Sequence, residues 1–363
     1  MYGPPSSEKR AVAEEHLPEG GFSAAAIVCE RTTGIGIMSR KEGKGIKILA
    51  AIGLIVTTII WGSAFVVMKN SVDVISPTYL LALRFTIAAI ALILVFWRQT
   101  MRITKSDLIC GGLLGVFLFI SYFFQTYGLK YTTASKNAFI TTLYVILVPF
   151  LHWFFNRKRP TKKNIAAAVI AVFGLALLSL EGDLSVNPGD FLTLICGLFF
   201  AVHIVFIDRY TVNHSPVILT IVQMAAAAVL SWIVAPILEG GLDVRVIDRG
   251  MMVSLLYLGI FSTMIGFLLQ NVGQKYLTPN TSSILLSFES VFGLVFSVIF
   301  LGDPLTVKLI AGCVLMFAAV IMSEYKRKEK AAAKKTAVQR ALQNGIGQSA
   351  AGRKKTESGS ATE

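Results

Sequence analysis

A carboxylate in the middle of an apolar run is the feature of this sequence best placed to do chemistry. Glu289 stands near the centre of the run from Thr281 to Leu301. There, an unpaired charge costs several kcal/mol unless it is hydrated or neutralised. Ser282, Gly293 and Ser297 fall on its face at helical spacing, a small polar stripe suited to a cavity wall or to close helix contact. A carboxyl so placed can bind a cationic substrate group or exchange a proton; the competing role is a structural carboxyl hydrogen-bonded between helices.

Such a residue needs apolar helices to position it, and the chain supplies ten runs near the length that crosses a bilayer. They are Ile48 to Met68, Thr78 to Phe96, Leu108 to Tyr127, Asn137 to Phe155, Asn164 to Leu180, Phe191 to Asp208, Val217 to Leu238, Met251 to Gln270, Thr281 to Leu301 and Val307 to Ser323. The expected fold is an all-α integral membrane protein of ten transmembrane helices. Met1 to Gly45 carries no apolar run long enough for a signal-peptide core. It reads either as a disordered extension or as an over-long reading frame whose true start is Met38. Residues 325–363 read as a disordered basic tail.

The runs repeat. A shift of 145 positions lays Gln125, Gly128, Lys130, Tyr131 and Thr133 on Gln270, Gly273, Lys275, Tyr276 and Thr278, all identical, and a shift of 139 lays Ser76 and Pro77 on Ser215 and Pro216. The longer loop Glu239 to Gly250 is expected to absorb the difference. The halves are residues 46–182 and 189–324, each with five spans. An odd number of spans inverts the second copy, and inverted copies that exchange conformations produce outward-open and inward-open states around a site near the midplane. The competing reading is duplication that merely built a scaffold.

The repeat pairs the candidate residues. Glu289 corresponds to Tyr144, whose face carries Asn137, Thr141, Val148 and His152, while Ser282 matches Asn137 and Ser297 matches His152. Both stripes are expected to line a central cavity. Arg84, equivalent to Gln223, could hold a carboxylate through a bidentate contact, or snorkel or pin backbone carbonyls. Lys69 and its equivalent Asp208 read as interface anchors, and His203 and His152 as packing residues or proton relays. Gln125 and Gln270 read as helix caps or gate residues, and Trp61 as an interfacial belt residue or a stacking platform for substrate.

Composition agrees with a membrane protein: 54% hydrophobic against 15% charged residues, too few polar side chains to cover a soluble surface. The net charge of +13 sits in connections and termini, so nucleic acid is not an implied partner. Small-molecule substrate and lipid bilayer are the implied partners; oligomeric state leaves no signal. Arg98, Arg102 and Lys105, with Arg157, Lys158, Arg159, Lys162 and Lys163, mark the cytoplasmic side and put both termini there. Glu181, Asp183 and Asp190 suit an outer loop, although Arg245 and Arg249 also fall in a predicted outer loop. Cys29, Cys110, Cys196 and Cys313 show no CxxC spacing, so neither a disulfide framework nor a metal site follows. No HExxH and no P-loop occurs, which leaves no cofactor and no nucleotide-driven energy source to expect.

Trp61-Gly62-Ser63-Ala64-Phe65, Pro77, Arg84-Phe85, the stretch Gln125 to Ala134 and Leu301-Gly302-Asp303-Pro304-Leu305 together resemble the EamA-type permeases of the drug/metabolite transporter superfamily. The resemblance covers nearly all of Ile46 to Lys328. It implies secondary transport, often export, of amino acids or other small metabolites across the cell (inner or plasma) membrane by alternating access, and not an enzyme. Many members place a proline in the ninth helix where this chain has Glu289 and Ser290, whereas the fourth-helix proline is present as Pro149. A membrane-embedded enzyme or lipid-handling protein on the same scaffold is the alternative.

Overall fold

Hydrocarbon offers backbone amides no partner, so each apolar run closes its own hydrogen bonds as a helix. A computed structural model of the chain describes residues 44–156, 162–179 and 187–324, and every regular element among them is helical. The first half contains α1 (Lys44–Val72), α2 (Pro77–Val95), α3 (Lys105–Tyr131), the consecutive pair α4 (Ala134–Thr141) and α5 (Tyr144–Asn156), and α6 (Lys162–Ser179). In the second half come α7 (Pro188–Tyr210), α8 (Pro216–Glu239) and α9 (Arg249–Leu256). That last helix runs through a π-helix (Tyr257–Ile265) into α10 (Gly266–Tyr276), and α11 (Pro279–Leu301) and α12 (Val307–Glu324) follow. Most of the N-terminal extension, the basic tail, and Arg157, Lys158, Arg159, Glu181 and Asp183 lie outside the described residues.

Of the ten expected spans, eight among the described residues are long and apolar enough to cross a bilayer; Ile165–Leu175 and Val307–Ala319 are shorter apolar helices. Two spans are also less regular than expected. The fourth is interrupted at Thr142 and Leu143, whereas Pro149 lies inside α5, which continues through it. The repeat-equivalent residue is Leu294, and α11 runs unbroken. The eighth span carries the π-helix. Cys196 and Cys313 are free and buried. Cys110 is buried, with its Sγ 3.6 Å from His214 Nε2.

The packing of the two halves is two-fold related. Helix pairs α2–α8, α4–α11 and α6–α12 each join equivalent elements, and α3–α7 is mirrored by α10–α1. The glycines show the same relation residue by residue. Gly128 presses on Gly189 and Thr193, while its equivalent Gly273 presses on Ala50 and Leu54, which are the equivalents of those two. Likewise Gly115 abuts Gln223 and Ala226, and Gly259 abuts Arg84 and Ile87. Ten residues separate Gly115 from Gln125 but eleven separate Gly259 from Gln270. The extra residue lies within the π-helix, a one-residue insertion accommodated without breaking the helix. The loop Glu239 to Gly250 therefore absorbs less of the offset between the halves than expected, and the helix takes up the rest.

Side chains from one half cap helix ends of the other. The Glu239 carboxylate accepts from the backbone amides of Thr78 at 2.9 Å and Tyr79 at 3.3 Å, and from the hydroxyls of Thr78 at 2.9 Å and Tyr127 at 2.5 Å. It thus takes over capping of α2, whose N-cap Ser76 makes no side-chain bond. At α4, where Thr133 already caps Lys136 N, Asp303 adds to the cap, accepting from Ser135 N at 3.2 Å and Ser135 Oγ at 2.6 Å while Ser297 Oγ donates at 2.5 Å. Asp190 accepts from Thr132 Oγ1 at 2.5 Å. At the opposite end of the bundle Asp107, in a capping box with Thr104, meets His214 Nδ1 at 2.6 Å.

Two adjacent glycines in α3 provide a test of this packing. A Cβ at Gly111 would sit 2.6 Å from Val222 Cβ, whereas one at Gly112 meets nothing within 4 Å. Gly112→Ala should be neutral or stabilising, since alanine gains roughly 0.5–1 kcal/mol over glycine in a helix interior. Gly111→Ala should lower the melting temperature of the detergent-solubilised protein by several degrees. Equal melting temperatures for the two variants would contradict the α3–α8 contact.

Candidate functional site

A narrow cavity lies at the centre of the bundle. It is lined by Trp61, Ala64, Phe65, Met68, Tyr122, Gln125, Tyr144, Phe200, Ile204, Ser262, Gln270, Leu286 and Glu289. Four of its lining pairs are repeat equivalents: Trp61 with Phe200, Phe65 with Ile204, Gln125 with Gln270, and Tyr144 with Glu289. Equivalent residues can face one space in this way only where the pseudo-two-fold axis passes through it. Among these pairs only Tyr144 and Glu289 differ in formal charge.

Glu289 is 4% exposed and Tyr144 2% exposed. The tyrosine hydroxyl interacts electrostatically with the carboxylate but makes no hydrogen bond of regular geometry. Gln270, 1% exposed, also leaves Oε1 without a partner. Gln125 donates from Nε2 to Thr141 Oγ1 at 3.3 Å. Neither glutamine caps its helix; both face the cavity. Trp61 is 8% exposed and donates from Nε1 to the Ser262 carbonyl at 2.8 Å, its ring 4.9 Å from that of Phe267. It is therefore a cavity residue and not an interfacial belt residue.

Arg84 neither snorkels nor pins carbonyls. Fully buried, it donates from Nε to Thr263 Oγ1 at 3.0 Å, from Nη2 to Ser262 Oγ at 3.2 Å and from Nη1 to Met68 Sδ at 3.1 Å. Its guanidinium lies 4.5 Å from the centroid of the Tyr122 ring, a cation–π contact. Both hydroxyl acceptors lie in the π-helix, where Thr263 Oγ1 donates five residues back to Leu258 O at 2.7 Å. The equivalent Gln223 has no such seat and meets His203 Nε2 at 3.0 Å. Tyr122, Ser262 and Met68 separate Arg84 from the cavity, so the arginine stands behind the wall.

The remaining candidates lie outside the cavity wall. Asn137 donates from Nδ2 to Thr193 Oγ1 at 2.8 Å and to the backbone carbonyl of Gln125 at 3.2 Å, joining α3, α4 and α7. Thr141, Ser282, His203 and Gln223 are buried between helices, and Ser297 holds Asp303. His152 is half-buried in α5. Lys69 is not an interface anchor: its Nζ donates to Leu129 O at 2.9 Å and Thr132 O at 3.1 Å, closing the C-terminal end of α3. Only the Tyr144 and Glu289 positions of the two stripes reach the cavity, because its wall is shared among seven helical segments and each contributes only one to four residues. Most of the lining residues that sequence reasoning missed lie within one or two helical turns of those it named, Ser262 being the exception. Ala64, Phe65 and Met68 follow Trp61, Tyr122 precedes Gln125, and Leu286 precedes Glu289.

The EamA-like transporter family model matches this chain twice, over residues 48–180 and 187–325. An uncharacterized transporter of Archaeoglobus fulgidus is 34% identical, over 79% of this chain and 89% of that one. A probable amino-acid metabolite efflux pump of Salmonella typhimurium is 27% identical, over 79% and 96%. One solved crystal structure shares the fold with a TM-score of 0.58 at 18% identity, covering 78% of this chain and 98% of that one. With both halves matched and the apolar helices arranged as two related units, the chain is a multi-pass membrane protein that belongs to the EamA-like transporter family.

Proposed function

We propose that this protein is a secondary exporter of a small, amine-bearing metabolite, an amino acid or a related compound, working by alternating access in the cell membrane. In this reading ten helices cross the bilayer as two inverted sets of five, in the domains 46–182 and 189–324, with both termini cytoplasmic. The observation that carries it is the cavity on the pseudo-two-fold axis, where Glu289 is the one formal charge on the wall. A buried carboxylate costs roughly 2.5–3.5 kcal/mol or more at the centre of a bilayer-spanning helix, a cost that a bound ammonium group or proton offsets. The names of the Salmonella typhimurium and Escherichia coli relatives support the amino-acid class and the export direction.

The inter-half caps supply the two ends that such a cycle must open in turn. Glu239, Asp303 and Asp190 join the halves at the predicted outer end, while Asp107 with His214 joins them at the predicted inner end. Releasing one cap costs about 0.5–2 kcal/mol, small enough for substrate binding to shift the balance.

Metabolite profiling of medium and cytosol from cells expressing the wild type, Glu289→Gln or an empty vector tests the assignment. At matched membrane expression, the wild type should enrich an amine-bearing metabolite in the medium, and Glu289→Gln should reduce that export at least tenfold. Full activity of the variant would remove Glu289 from the mechanism, and no wild-type enrichment would remove export. In a background lacking the native cysteines, Glu239→Gln should accelerate labelling of Ala64→Cys by a membrane-impermeant maleimide applied outside intact cells several-fold. An unchanged labelling rate would show that the Glu239 cap is not an outer gate.

A further inference from the structure

The cavity wall can be read as an inventory of unspent charges and hydrogen-bonding atoms. Its one formal charge is the Glu289 carboxylate. Tyr144 Oη faces the Glu289 carboxylate without a hydrogen bond of regular geometry, Gln270 Oε1 is buried without a partner, and the rings of Trp61, Phe65, Tyr122, Tyr144 and Phe200 surround them. The donors best suited to a carboxylate are engaged with protein. Each guanidinium nitrogen of Arg84 makes a hydrogen bond, and its charge is held under Tyr122, behind the wall. The Trp61 indole N–H is committed to Ser262 O, and Gln125 Nε2 to Thr141.

This imbalance has a chemical consequence. An ammonium group entering the cavity finds a carboxylate, further oxygen acceptors and aromatic faces, the combination that stabilises an organic cation in a dry site. A carboxylate entering with it finds at most neutral donors, from Tyr144 or from Gln270, whose amide can present either end. Leaving a carboxylate without a cationic partner in such a site costs more than the apolar contacts of a small substrate return.

We propose that the cavity selects an organic monocation: an aromatic amine, or an amino-acid derivative whose carboxylate is absent or masked as an ester or amide, in preference to the free zwitterion. The proposal rests on the transport reading above for the location of the site, and it narrows the substrate class. Tyr122 is the specificity-determining partner of Glu289, because its ring holds the Arg84 charge away from the ligand.

The test compares 2-phenylethylamine, phenylalanine methyl ester, phenylalanine and 3-phenylpropanoate on the purified full chain. Binding is followed by thermal shift and calorimetry, and counterflow is measured in proteoliposomes. The amine and the ester should bind at least tenfold more tightly than phenylalanine, with the propanoate weakest, and Glu289→Gln should remove the preference. Because the ligand series is read on the wild type, the result does not depend on the variant folding. Equal or tighter binding of phenylalanine, binding of the propanoate, or no binding of the amine would each overturn the proposal. Amine-selective binding without counterflow of any probe would support the cation site and overturn transport. Counterflow of phenylalanine but not of the amine would support transport and overturn the cation site.

Discussion

Hydrocarbon cannot hydrogen-bond, and most of this structure follows from how the chain meets that constraint. Within each helix the backbone bonds to itself, so the difficulty moves to the helix ends and to the polar side chains between them. The ends of α2 and α4 are closed by Glu239 and Asp303, and the end of α3 by Lys69. For α2 and α4 the capping group comes from the opposite half, so satisfying a local shortage of partners also joins the two repeats. Secondary structure and inter-repeat contact are therefore coupled: the halves cannot separate at one end without uncapping helix ends that the opposite half closes.

Against that background, the polar atoms without partners carry information. Glu289, Tyr144 and Gln270 converge on the cavity, while the Trp61 indole and the Gln125 amide on the same wall donate to protein. A carboxylate held between aromatic rings with no buried cation beside it resembles half of an ion pair whose other half is the ligand. Arg84 represents the opposite solution. Its charge is dispersed over two hydroxyls, a thioether and an aromatic face, so it needs no anion and leaves the cavity to the carboxylate.

Symmetry explains why the two halves reach one site, and its failures explain what the site can do. Equivalent glycines make equivalent contacts on both sides of the axis. The single extra residue in the eighth span is absorbed as a π-helix, which turns Ser262 and Thr263 toward Arg84 and leaves the Ser262 carbonyl available to Trp61. The first half has no such insertion, and there Gln223 replaces the arginine and pairs with His203. The fourth span is interrupted at Thr142 and Leu143 while the ninth stays continuous, so Tyr144 begins a helix and Glu289 sits within one. Duplication made the scaffold, and these departures from symmetry made its centre chemically one-sided.

Several features depend only on local order along the chain and were legible before any coordinates. Apolar runs declare membrane helices because their length and composition are set residue by residue, and the identities from Gln125 to Thr133 and from Gln270 to Thr278 declare the duplication. The prominence of Glu289 is of the same kind, since a charge inside an apolar run is costly whatever surrounds it. The tertiary structure alone decided which candidates meet. Trp61 and Gln270 join Glu289 in one cavity, whereas Asn137, Thr141 and Ser282 turn into helix contacts and Lys69 caps a helix. It also decided that Arg84 stands behind Tyr122 and that Asp303 serves α4. A helix turns about 100° per residue, so a one-residue insertion or an interruption of the helix changes which face meets which neighbour. That outcome depends on every helix packed around it, and helical periodicity in the sequence does not encode it.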